Sequence, residues 1–278
     1  MSLIHKWIRS GQVRVNKKRA KPFAKLNKDD IVRIPPFAPI REKKTDLQSN
    51  PLEVLSRHFP IVYADSDVLI INKPSGLAVH PGSNITASIT QYLQEAYAHH
   101  PFIPAPAHRL DKNTSGLLAI GLTHASLVTL SNWFAIPEHT HKHYLCWVEG
   151  DWHAPTPVLE DYLVKSTTGN HNMVCVDKHH PHGLLARSHV HKLTTARHEG
   201  KLVSLLQIHL ETGRTHQIRT QLSSRGHPIM GDVRYGGQAF FPMLLHAYEL
   251  HITAIPPVRA LPVWPLPFSV SEGTLASQ

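Results

Sequence analysis

The residues most able to do chemistry lie in a polar segment that holds a single acid, Asp111. The segment reads HRLDKNTSG over residues 108–116 and precedes an apolar run that predicts a buried strand. Arg109 and Lys112 flank the acid, and nearby positive charge favours the ionised form of a carboxylate. The turn-prone residues that follow predict a loop. We therefore expect a charged carboxylate on a loop beside a buried strand, which is a suitable place for catalysis.

Two further segments place cations and an aromatic side chain on predicted strands. The first reads NKPSGLAVHP over residues 72–81. Here a strand runs into a turn that would bring Lys73 and backbone N–H groups near a phosphate. The second reads KHYLCWVEG over residues 142–150. Alternation along a strand puts Lys142 and Tyr144 on one face of it.

Another polar segment, LETGRTHQIRTQL over residues 210–222, predicts a strand that ends at 212–213 and a helix that follows. His216 and Arg219 are three residues apart, so they would lie near one face of that helix. The sequence GHPIMGDVRYG at 226–236 then predicts a turn-rich loop. Polar side chains are thus expected where strands end and loops begin.

Beyond Pro60 the chain combines many short β-rich runs with fewer helical segments. Strands are predicted at 61–63, 68–72, 117–122, 144–148, 158–164, 173–176, 186–193, 202–210 and 249–252. Helices are predicted at 86–98, 124–135, 215–225 and 238–246. This set of elements predicts an α+β fold dominated by antiparallel strands.

Positive charge is concentrated at the start of the chain. The formal net charge is +9, and residues 1–50 carry 13 Lys and Arg against 4 Asp and Glu. The other 228 residues carry 16 basic and 16 acidic side chains, so the first fifth of the chain holds the whole excess. Such a basic block predicts a polyanionic partner, and nucleic acid above all.

The basic block has the pattern of a small module. Its predicted elements are a short amphipathic helix ending at Gly11, a strand at 13–15, a basic turn at 17–19 and a second strand within 26–34. Residues 37–58 are polar and contain proline, which predicts a linker. We expect two domains, one over residues 1–48 and the other over residues 49–278.

Composition excludes several classes of protein. A hydrophobic fraction of 41% is enough for a folded core. No apolar run approaches the ~20 residues that span a bilayer, and the first residues lack the apolar stretch of a secretory signal. Cys146 and Cys175 give no disulfide framework. We expect a monomeric cytoplasmic protein with no membrane contact.

Four motifs, taken in chain order from residue 108 to residue 236, resemble those of the RluA-type family of RNA pseudouridine synthases. The family pattern HRLDxxTSGL is met by residues 108–117, and KxY by Lys142 and Tyr144. TGRxHQIR is met by residues 212–219, and GHPIxGDxxYG by residues 226–236. The resemblance implies a catalytic domain with a mixed, mainly antiparallel sheet over the second predicted domain.

The N-terminal block adds a second resemblance. The sequence from Trp7 to Pro36 is similar to the S4 RNA-binding module, with the usual first helix of the module absent or shortened. S4-like modules often precede this catalytic domain. The two resemblances together imply a partial S4-like module, as in the family members that modify large-subunit ribosomal RNA.

The family resemblance implies that the chain converts uridine in RNA to pseudouridine. The N1–C1′ bond is broken, the base turns, and it is rejoined through C5. Asp111 is implied as the essential acid, Arg219 as the arginine that pairs with it, and Tyr144 as the residue that stacks on the uracil and assists proton transfer at C5. Addition of the carboxylate to the sugar, its addition to the base, and removal of a sugar proton all stay open. Since glycoside hydrolysis normally uses two carboxylates, one acid favours isomerisation.

A stacked base hides both C1′ and C5, so the uridine must leave the helix before it can react. The resemblance implies that Arg109 fills the gap left behind. Other residues predicted to contact RNA are Lys73, Arg214, His216, Arg9, Arg14, Lys17, Lys18 and Arg19. No cofactor and no metal are expected, because the 23 histidines show no recognised ligand spacing.

One position departs from the family pattern QIRxH, since Gln221 stands where the histidine is expected. Glutamine keeps a hydrogen-bonding side chain and lacks the titratable ring. We expect the change to leave the catalytic acid untouched and to affect local packing or RNA contacts.

Three other functions are compatible with parts of the sequence. A transfer RNA pseudouridine synthase would keep the chemistry, but the basic N-terminal block favours ribosomal RNA. A non-catalytic RNA-binding or ribosome assembly factor would keep the fold, but the intact Asp111, Tyr144 and Arg219 favour catalysis. A metal-dependent hydrolase built on the histidines is the third alternative.

Overall fold

The computed structural model describes residues 7–8, 11–21, 24–33, 50–82, 87–153, 156–168, 171–177 and 183–276. The chain forms two compact units, residues 1–49 and residues 50–278. Arg9, one of the residues predicted to contact RNA, lies outside the described residues.

Strands dominate both units, as the α+β prediction requires. They are β1 (Arg14–Val15), β2 (Lys18–Arg19), β3 (Val32–Arg33), β4 (Ile61–Ala64), β5 (Val68–Lys73), β6 (Ala105–Pro106), β7 (Ser115–Gly121), β8 (Thr140–Glu149), β9 (Val158–Thr168), β10 (His171–Val176), β11 (Leu184–His198), β12 (Lys201–Leu210), β13 (Leu245–Ile252) and β14 (Ile255–Arg259). The helices are α1 (Pro51–Ser56), α2 (Ile89–Ala96), α3 (His124–Ala135), α4 (Gln217–Ser223) and α5 (Glu272–Ala276). Short 3₁₀ turns lie at Pro137–His139 and Val233–Tyr235.

The first unit is built on a three-stranded antiparallel sheet in the order β2-β1-β3. Asn16 and Lys17 both have positive φ, which is the backbone of a tight hairpin turn. The predicted basic turn is therefore displaced, because Lys18 and Arg19 already belong to β2. The Asn16 side chain accepts from the N–H of Ile31 at 2.9 Å and so ties the turn to β3.

The second unit is organised around one mixed sheet. Its main path runs β10-β9-β11-β12-β8-β13-β7-β5-β4, while β14 pairs with β13 and β6 pairs with β7. The pairing of β13 with β7 is parallel, and the other pairings of this sheet are antiparallel. The fold class predicted from the sequence is confirmed.

The parallel pairing joins the two halves of the sheet through a close backbone approach. Gly116 in β7 lies opposite Ala247 in β13 and has a φ of +114°. A Cβ at this position would collide with the backbone of Ala247. Glycine is required here both by its positive φ and by the space available. The strand that follows Asp111 therefore pairs directly with the centre of the sheet.

Hydrophobic clusters cover both faces of the central strands. On one face Tyr144, Cys146 and Val148 pack with residues of β5, β7, β12 and α4. On the other face Leu145 and Trp147 pack with a cluster that includes Phe268. Burial of both faces explains why this part of β8 is a continuous apolar run, without the polar alternation of a half-exposed strand.

Helix α3 has the bounds that its sequence predicts. Its start is fixed by a capping box, in which Thr123 Oγ1 accepts from the N–H of Ser126 at 3.1 Å and Ser126 Oγ accepts from the N–H of Thr123 at 3.0 Å. No helix among the described residues is both long and apolar enough to cross a membrane.

Three local predictions are wrong. Residues 238–244 form no helix, and β13 begins at Leu245. The predicted linker 37–58 contains α1, because Asn50 caps a helix whose Leu55 is buried in the core. Strand β12 ends at Leu210, as the predicted strand 202–210 does, and not at 212–213 as expected from the segment 210–222. In each case short-range patterns missed a tertiary contact.

Candidate active site

The loop that carries Asp111 is fastened to the turn after β5. The N–H of Gly76 donates to the carbonyl of Lys112 at 2.9 Å, and Ser75 Oγ donates to the carbonyl of Asn113 at 2.6 Å. The same loop continues into β7, whose parallel pairing with β13 fixes its far end. The backbone around Asp111 is thus held by contacts that do not involve its carboxylate.

Lys73 lies beneath this loop and is fully buried. Its ammonium donates to the carbonyls of Pro74 at 2.8 Å, Leu77 at 2.9 Å and Lys112 at 3.2 Å. Burial lowers the pKa of Lys73 to about 7, against the opposing charge of Asp111. A side chain with no exposed surface and three carbonyl acceptors contradicts the predicted contact between Lys73 and phosphate. Lys73 instead joins the two loops below the acid.

Arg219 joins Asp111 to a second acid, Asp232. Its Nε and Nη2 donate to the two carboxylate oxygens of Asp232 at 2.7 and 2.8 Å, and its Nη1 donates to Asp111 Oδ2 at 3.1 Å. Burial alone would lower the pKa of Arg219, but the hydrogen bond and charge of Asp232, with those of Asp111, raise it. The guanidinium therefore stays charged, and its two-point contact with Asp232 fixes its plane.

The ring of Tyr235 packs against this arginine. Its centroid lies 4.9 Å from the guanidinium carbon of Arg219, within the range of a cation–π contact. The Tyr235 hydroxyl lies 2.8 Å from Nδ1 of His216, and Nε2 of His216 lies 3.7 Å from Asp111 Oδ2. His216 is in the left-handed region with a φ of 53°, at the start of α4. His216 and Arg219, which the sequence predicts to lie near each other, both approach the carboxylate of Asp111.

Helix α4 is short, and the loop before it is held by Gln217. The Gln217 side-chain oxygen accepts from the N–H of Arg214 and from Thr212 Oγ1, both at 2.9 Å. Its Nε2 donates to Ser188 Oγ at 2.9 Å and so ties the loop to β11. Arg219 is thus delivered from a segment anchored to the sheet.

Asp111 opens into a pocket of about 250 Å³. Tyr144 and Lys142, from one face of β8 as predicted, line the pocket together with Leu110, Phe134, Arg214 and His216. Burial raises the pKa of Tyr144, and the charge of Asp111 raises it further. The Tyr144 phenol therefore stays protonated at neutral pH and can donate a hydrogen bond. Its ring offers a flat apolar surface for a base.

The cations next to Asp111 in sequence are not its partners. Arg109 and Lys112 are both exposed, while the carboxylate contacts Arg219. Arg214 is also exposed, and its Nε donates to the carbonyl of Leu185 at 2.9 Å. The expectation that the flanking cations hold the acid is therefore corrected: a side chain 108 positions away in the sequence makes the contact.

Gln221 lies on the core side of α4 and is fully buried. Its Nε2 donates to Asp161 Oδ2 at 2.8 Å, and its Oε1 accepts from Ser188 Oγ at 2.7 Å. Arg225 also contacts Asp161, through two nitrogens at 2.9 and 3.1 Å. The departure from the family pattern thus affects packing, and its burial leaves no room for an RNA contact.

Histidines gather on the opposite face of the same strands. His143 in β8 stacks on His209 in β12 with ring centroids 4.8 Å apart, and His141 and His251 lie 5.6 and 5.8 Å from this pair at their nearest. His189 in β11 lies 5.6 Å from His209. Burial, with the charge of His209 second, lowers the pKa of His143 to about 4.

The described residues contain no group of three or more His, Cys, Asp or Glu arranged to hold a metal ion. The side chains of His171, His179, His180 and His182, which lie near Cys175 in the sequence, fall outside the described part of the chain.

Sequence reasoning gave no role to Asp232 and Tyr235, although both lie in the quoted segment 226–236. The signal was available in that motif, because an acid and an aromatic residue stand three positions apart at a 3₁₀ turn. Lys142 was noticed only as the neighbour of Tyr144. Its place in the pocket became clear from the fold.

The fold and the site together define a catalytic domain of the pseudouridine synthase kind, and comparison with known proteins gives the same result. A family model described as RNA pseudouridylate synthase matches residues 67–224. The chain belongs to this family. It is an RNA pseudouridine synthase, an enzyme that isomerises uridine in RNA.

Individual relatives agree with this assignment. Ribosomal large subunit pseudouridine synthase C of Buchnera aphidicola subsp. Acyrthosiphon pisum is 35% identical over 84% of this chain and 72% of its own length. The protein of the same name from Haemophilus influenzae is 33% identical over 86% of this chain and 72% of its own length. Human RNA Pseudouridylate Synthase Domain Containing 1 shares the fold, with a TM-score of 0.62 at 24% identity over 74% of this chain and 84% of its own.

Proposed function

We propose that this pseudouridine synthase acts on large-subunit ribosomal RNA, with Asp111 as its essential acid. The observation that carries the assignment of the acid is the contact of its carboxylate with Arg219 in a pocket that Tyr144 also lines. The names of the relatives support the ribosomal substrate. The basic first fifth of the chain supports it as well, because phosphate contacts supply most of the affinity for RNA.

Each pocket residue has a role that its geometry suits. Arg219 holds the Asp111 carboxylate in position, while Asp232 fixes Arg219. Tyr144 stacks on the uracil and donates its phenolic proton within the pocket. Addition of Asp111 to C1′, addition to the base and removal of a sugar proton all require the ionised carboxylate. The same residues serve each of these routes.

The uridine reaches Asp111 by leaving the RNA stack. Arg109 is exposed at the mouth of the pocket, one residue from Leu110 and two from the acid. We assign to it the place vacated by the flipped nucleotide. Arg214, also exposed and part of the pocket lining, is assigned to the RNA backbone on the other side.

The first unit is proposed to be a partial S4-like RNA-binding module. In its sheet Arg14 lies directly opposite Arg19 on one side and Arg33 on the other. Opposed residues of antiparallel strands share a face, and like charges placed so are destabilising. A polyanion offsets that repulsion. Lys17 and Lys18 add positive charge at the adjacent hairpin.

We also propose that the enzyme acts as a monomer. A ribosomal substrate places its action in the cytoplasm. The proposed location follows from the substrate and is tested with it.

Pseudouridine mapping of total RNA from cells with and without the gene tests the function. We expect one or more large-subunit ribosomal sites to disappear on deletion and to return with the wild-type gene. The variant Asp111→Asn should restore none of them while binding the same RNA within about twofold, since it removes only the charge of one buried contact. Loss of transfer RNA sites instead would refute the ribosomal substrate, and rescue by Asp111→Asn would refute the assigned acid.

A further inference from the structure

One cation of the pocket has no partner among the described residues. Lys142 is half-buried, and its ammonium makes no hydrogen bond or ion pair with the part of the chain that the structure describes. Arg109 also lines the pocket but is exposed, whereas the buried cations nearby are occupied: Arg219 contacts two carboxylates and Lys73 three carbonyls. Burial without a counter-charge lowers the pKa of Lys142. An uncompensated cation in such a place is costly to fold.

The ammonium of Lys142 has a defined position. Lys142 precedes Tyr144 by two residues on the same face of β8, and both line the pocket with Asp111. A Cβ built on Gly213 would lie 3.8 Å from the Lys142 nitrogen. The charge therefore sits against the glycine of the loop that leads to His216 and Arg219. Absence of a side chain at Gly213 keeps this wall open.

Among the described residues, no acid forms an ion pair with Lys142. The titratable groups that sense its charge are His108 and His209, and for both the effect is to disfavour a second positive charge. Asp111 is engaged by Arg219 on one side and lies 3.7 Å from His216. A ligand can supply the counter-charge that the described residues do not, and RNA carries one phosphate per nucleotide.

We propose that Lys142 binds a backbone phosphate that flanks the flipped uridine and so sets how deeply the nucleotide enters the pocket. The proposal rests on the function above, because it takes RNA as the substrate of the Asp111 pocket. It assigns to Lys142 a contact with the backbone, whereas Tyr144 contacts the base. Lys142 would then contribute to binding uniformly and would select no particular sequence.

Salt dependence of binding gives the first test. Equilibrium binding of the full-length chain to an unmodified large-subunit ribosomal RNA transcript is measured at several salt concentrations. Lys142→Met should weaken binding roughly tenfold and reduce the slope of log K against log salt by about 0.7 to 0.9, the contribution of one phosphate contact. KM should rise with little change in kcat. Lys142→Arg should restore the slope.

Lys201→Met is the matched control, because it removes the same charge from an exposed site. Lys201 is the first residue of β12, whereas Lys142 pairs with Leu210 at the other end of that strand. Lys201→Met should leave the slope unchanged. If Lys142→Met and Lys201→Met change the slope equally, or Lys142→Met changes kcat alone, the phosphate contact is wrong. Pseudouridine formation by the wild type on the same transcript is measured in parallel, so a failure of the ribosomal substrate is seen separately.

A second test modifies the RNA and compares the wild-type protein with Lys142→Met. Two short RNAs carry the mapped target uridine with a neutral methylphosphonate on its 5′ or its 3′ side. One of the two should bind roughly tenfold more weakly than unmodified RNA, and Lys142→Met should not distinguish them. Equal binding of all three RNAs by the wild type would overturn the proposal.

Discussion

The two faces of β8 use titratable groups in opposite ways. On the pocket face, Tyr144 lies near Asp111, whose charge is balanced by Arg219. Asp232 in turn fixes the position of Arg219. On the other face, His141 and His143 meet histidines of neighbouring strands, with ring centroids about 5 to 6 Å apart. Adjacent residues of one strand thus belong to two different electrostatic environments.

The difference lies in how charge is compensated. The pocket pairs every buried charge of its acid and arginine with an opposite one, which holds geometry at the cost of desolvation. On the histidine face, burial lowers the pKa of His143 to about 4, so this ring is uncharged at neutral pH, while Glu249 opposite it is paired with Arg259. The carboxylate that the chemistry needs lies on the first face, in the pocket that Tyr144 lines.

Removing the charge of Asp232 should have the largest effect on the pocket face. Asp232→Asn removes the negative charge and replaces one of the two acceptors of Arg219 with a donor, so the buried guanidinium loses its two-point anchor. We expect a loss of about 3 kcal/mol in the free energy of unfolding, at the lower end of the range for a broken buried pair. Single-turnover pseudouridine formation should also slow by about 10²-fold or more, because Arg219 is no longer aimed.

Asp161→Asn is the control for this prediction. Asp161 is equally buried and accepts two hydrogen bonds from Arg225, away from the pocket. It should lose stability to a similar extent while the rate of the folded enzyme stays within about twofold. If Asp232→Asn also keeps its rate, then Asp232 stabilises the fold alone and does not position Arg219.

Neighbouring substitutions on β8 compare the two faces directly. Tyr144→Phe keeps the ring and removes the phenolic proton donor, so kcat should fall by about 10²-fold. His143→Gln changes the next side chain back along the strand, on the opposite face, and should leave kcat within about twofold. Steady-state kinetics on one RNA transcript measures both. Equal rates for Tyr144→Phe and the wild type would leave stacking as the only role of the ring.

The lowered pKa values of His143 and His209 on the histidine face should make the free energy of unfolding depend on pH. A histidine whose folded pKa is lowered binds fewer protons in the folded state than in the unfolded state. Stability is therefore retained above the unfolded value of about 6.5 and falls as the pH falls toward the folded value. For His143 this loss of stability occurs as the pH falls from about 6.5 to about 4. The buried His108 and His246 have lowered pKa values as well and add to the same fall.

His143→Gln isolates one member of this set. Its neighbours in the cluster are His141, His209, His251 and Glu249, of which only Glu249 favours the protonated form. Removing His143 should reduce the slope of unfolding free energy against pH by at most about 1.4 kcal/mol per unit between pH 6 and 4.5. Urea denaturation at a series of pH values measures the slope. An unchanged slope would mean that His143 titrates normally.

The sequence predicted the fold class because strand periodicity and the order of the four motifs agree. The sequence did not predict β14, because the prolines within 255–259 indicate a loop by local rules. In the structure these residues pair with β13 as an edge strand, where proline is tolerated. Helix 238–246 failed for the converse reason, because its apolar residues pack as a loop against the sheet.

The site was predicted unevenly for physical reasons. The pairing of Asp111 with Arg219 spans 108 positions and was reached through the family resemblance, which carries tertiary information that spacing lacks. Lys73 was misplaced because a sequence does not show whether an ammonium meets phosphate or backbone carbonyls. The sequence does not distinguish Lys142 from Lys73 in this respect. The structure does, because Lys73 is fully buried with three carbonyl acceptors, whereas Lys142 is half-buried and has no partner among the described residues.

The smallest expected effect concerns Gln221, which links α4 to the strands behind the pocket. Restoring the family residue in Gln221→His keeps a donor for Asp161 but not the additional contacts with Ser188 and the carbonyls of Leu159 and Ala186. We expect a loss of about 1 kcal/mol in unfolding free energy and an unchanged kcat. Gln221→Leu removes every one of these contacts and should cost more. A more stable Gln221→His variant would show that this network does not favour glutamine over the family histidine.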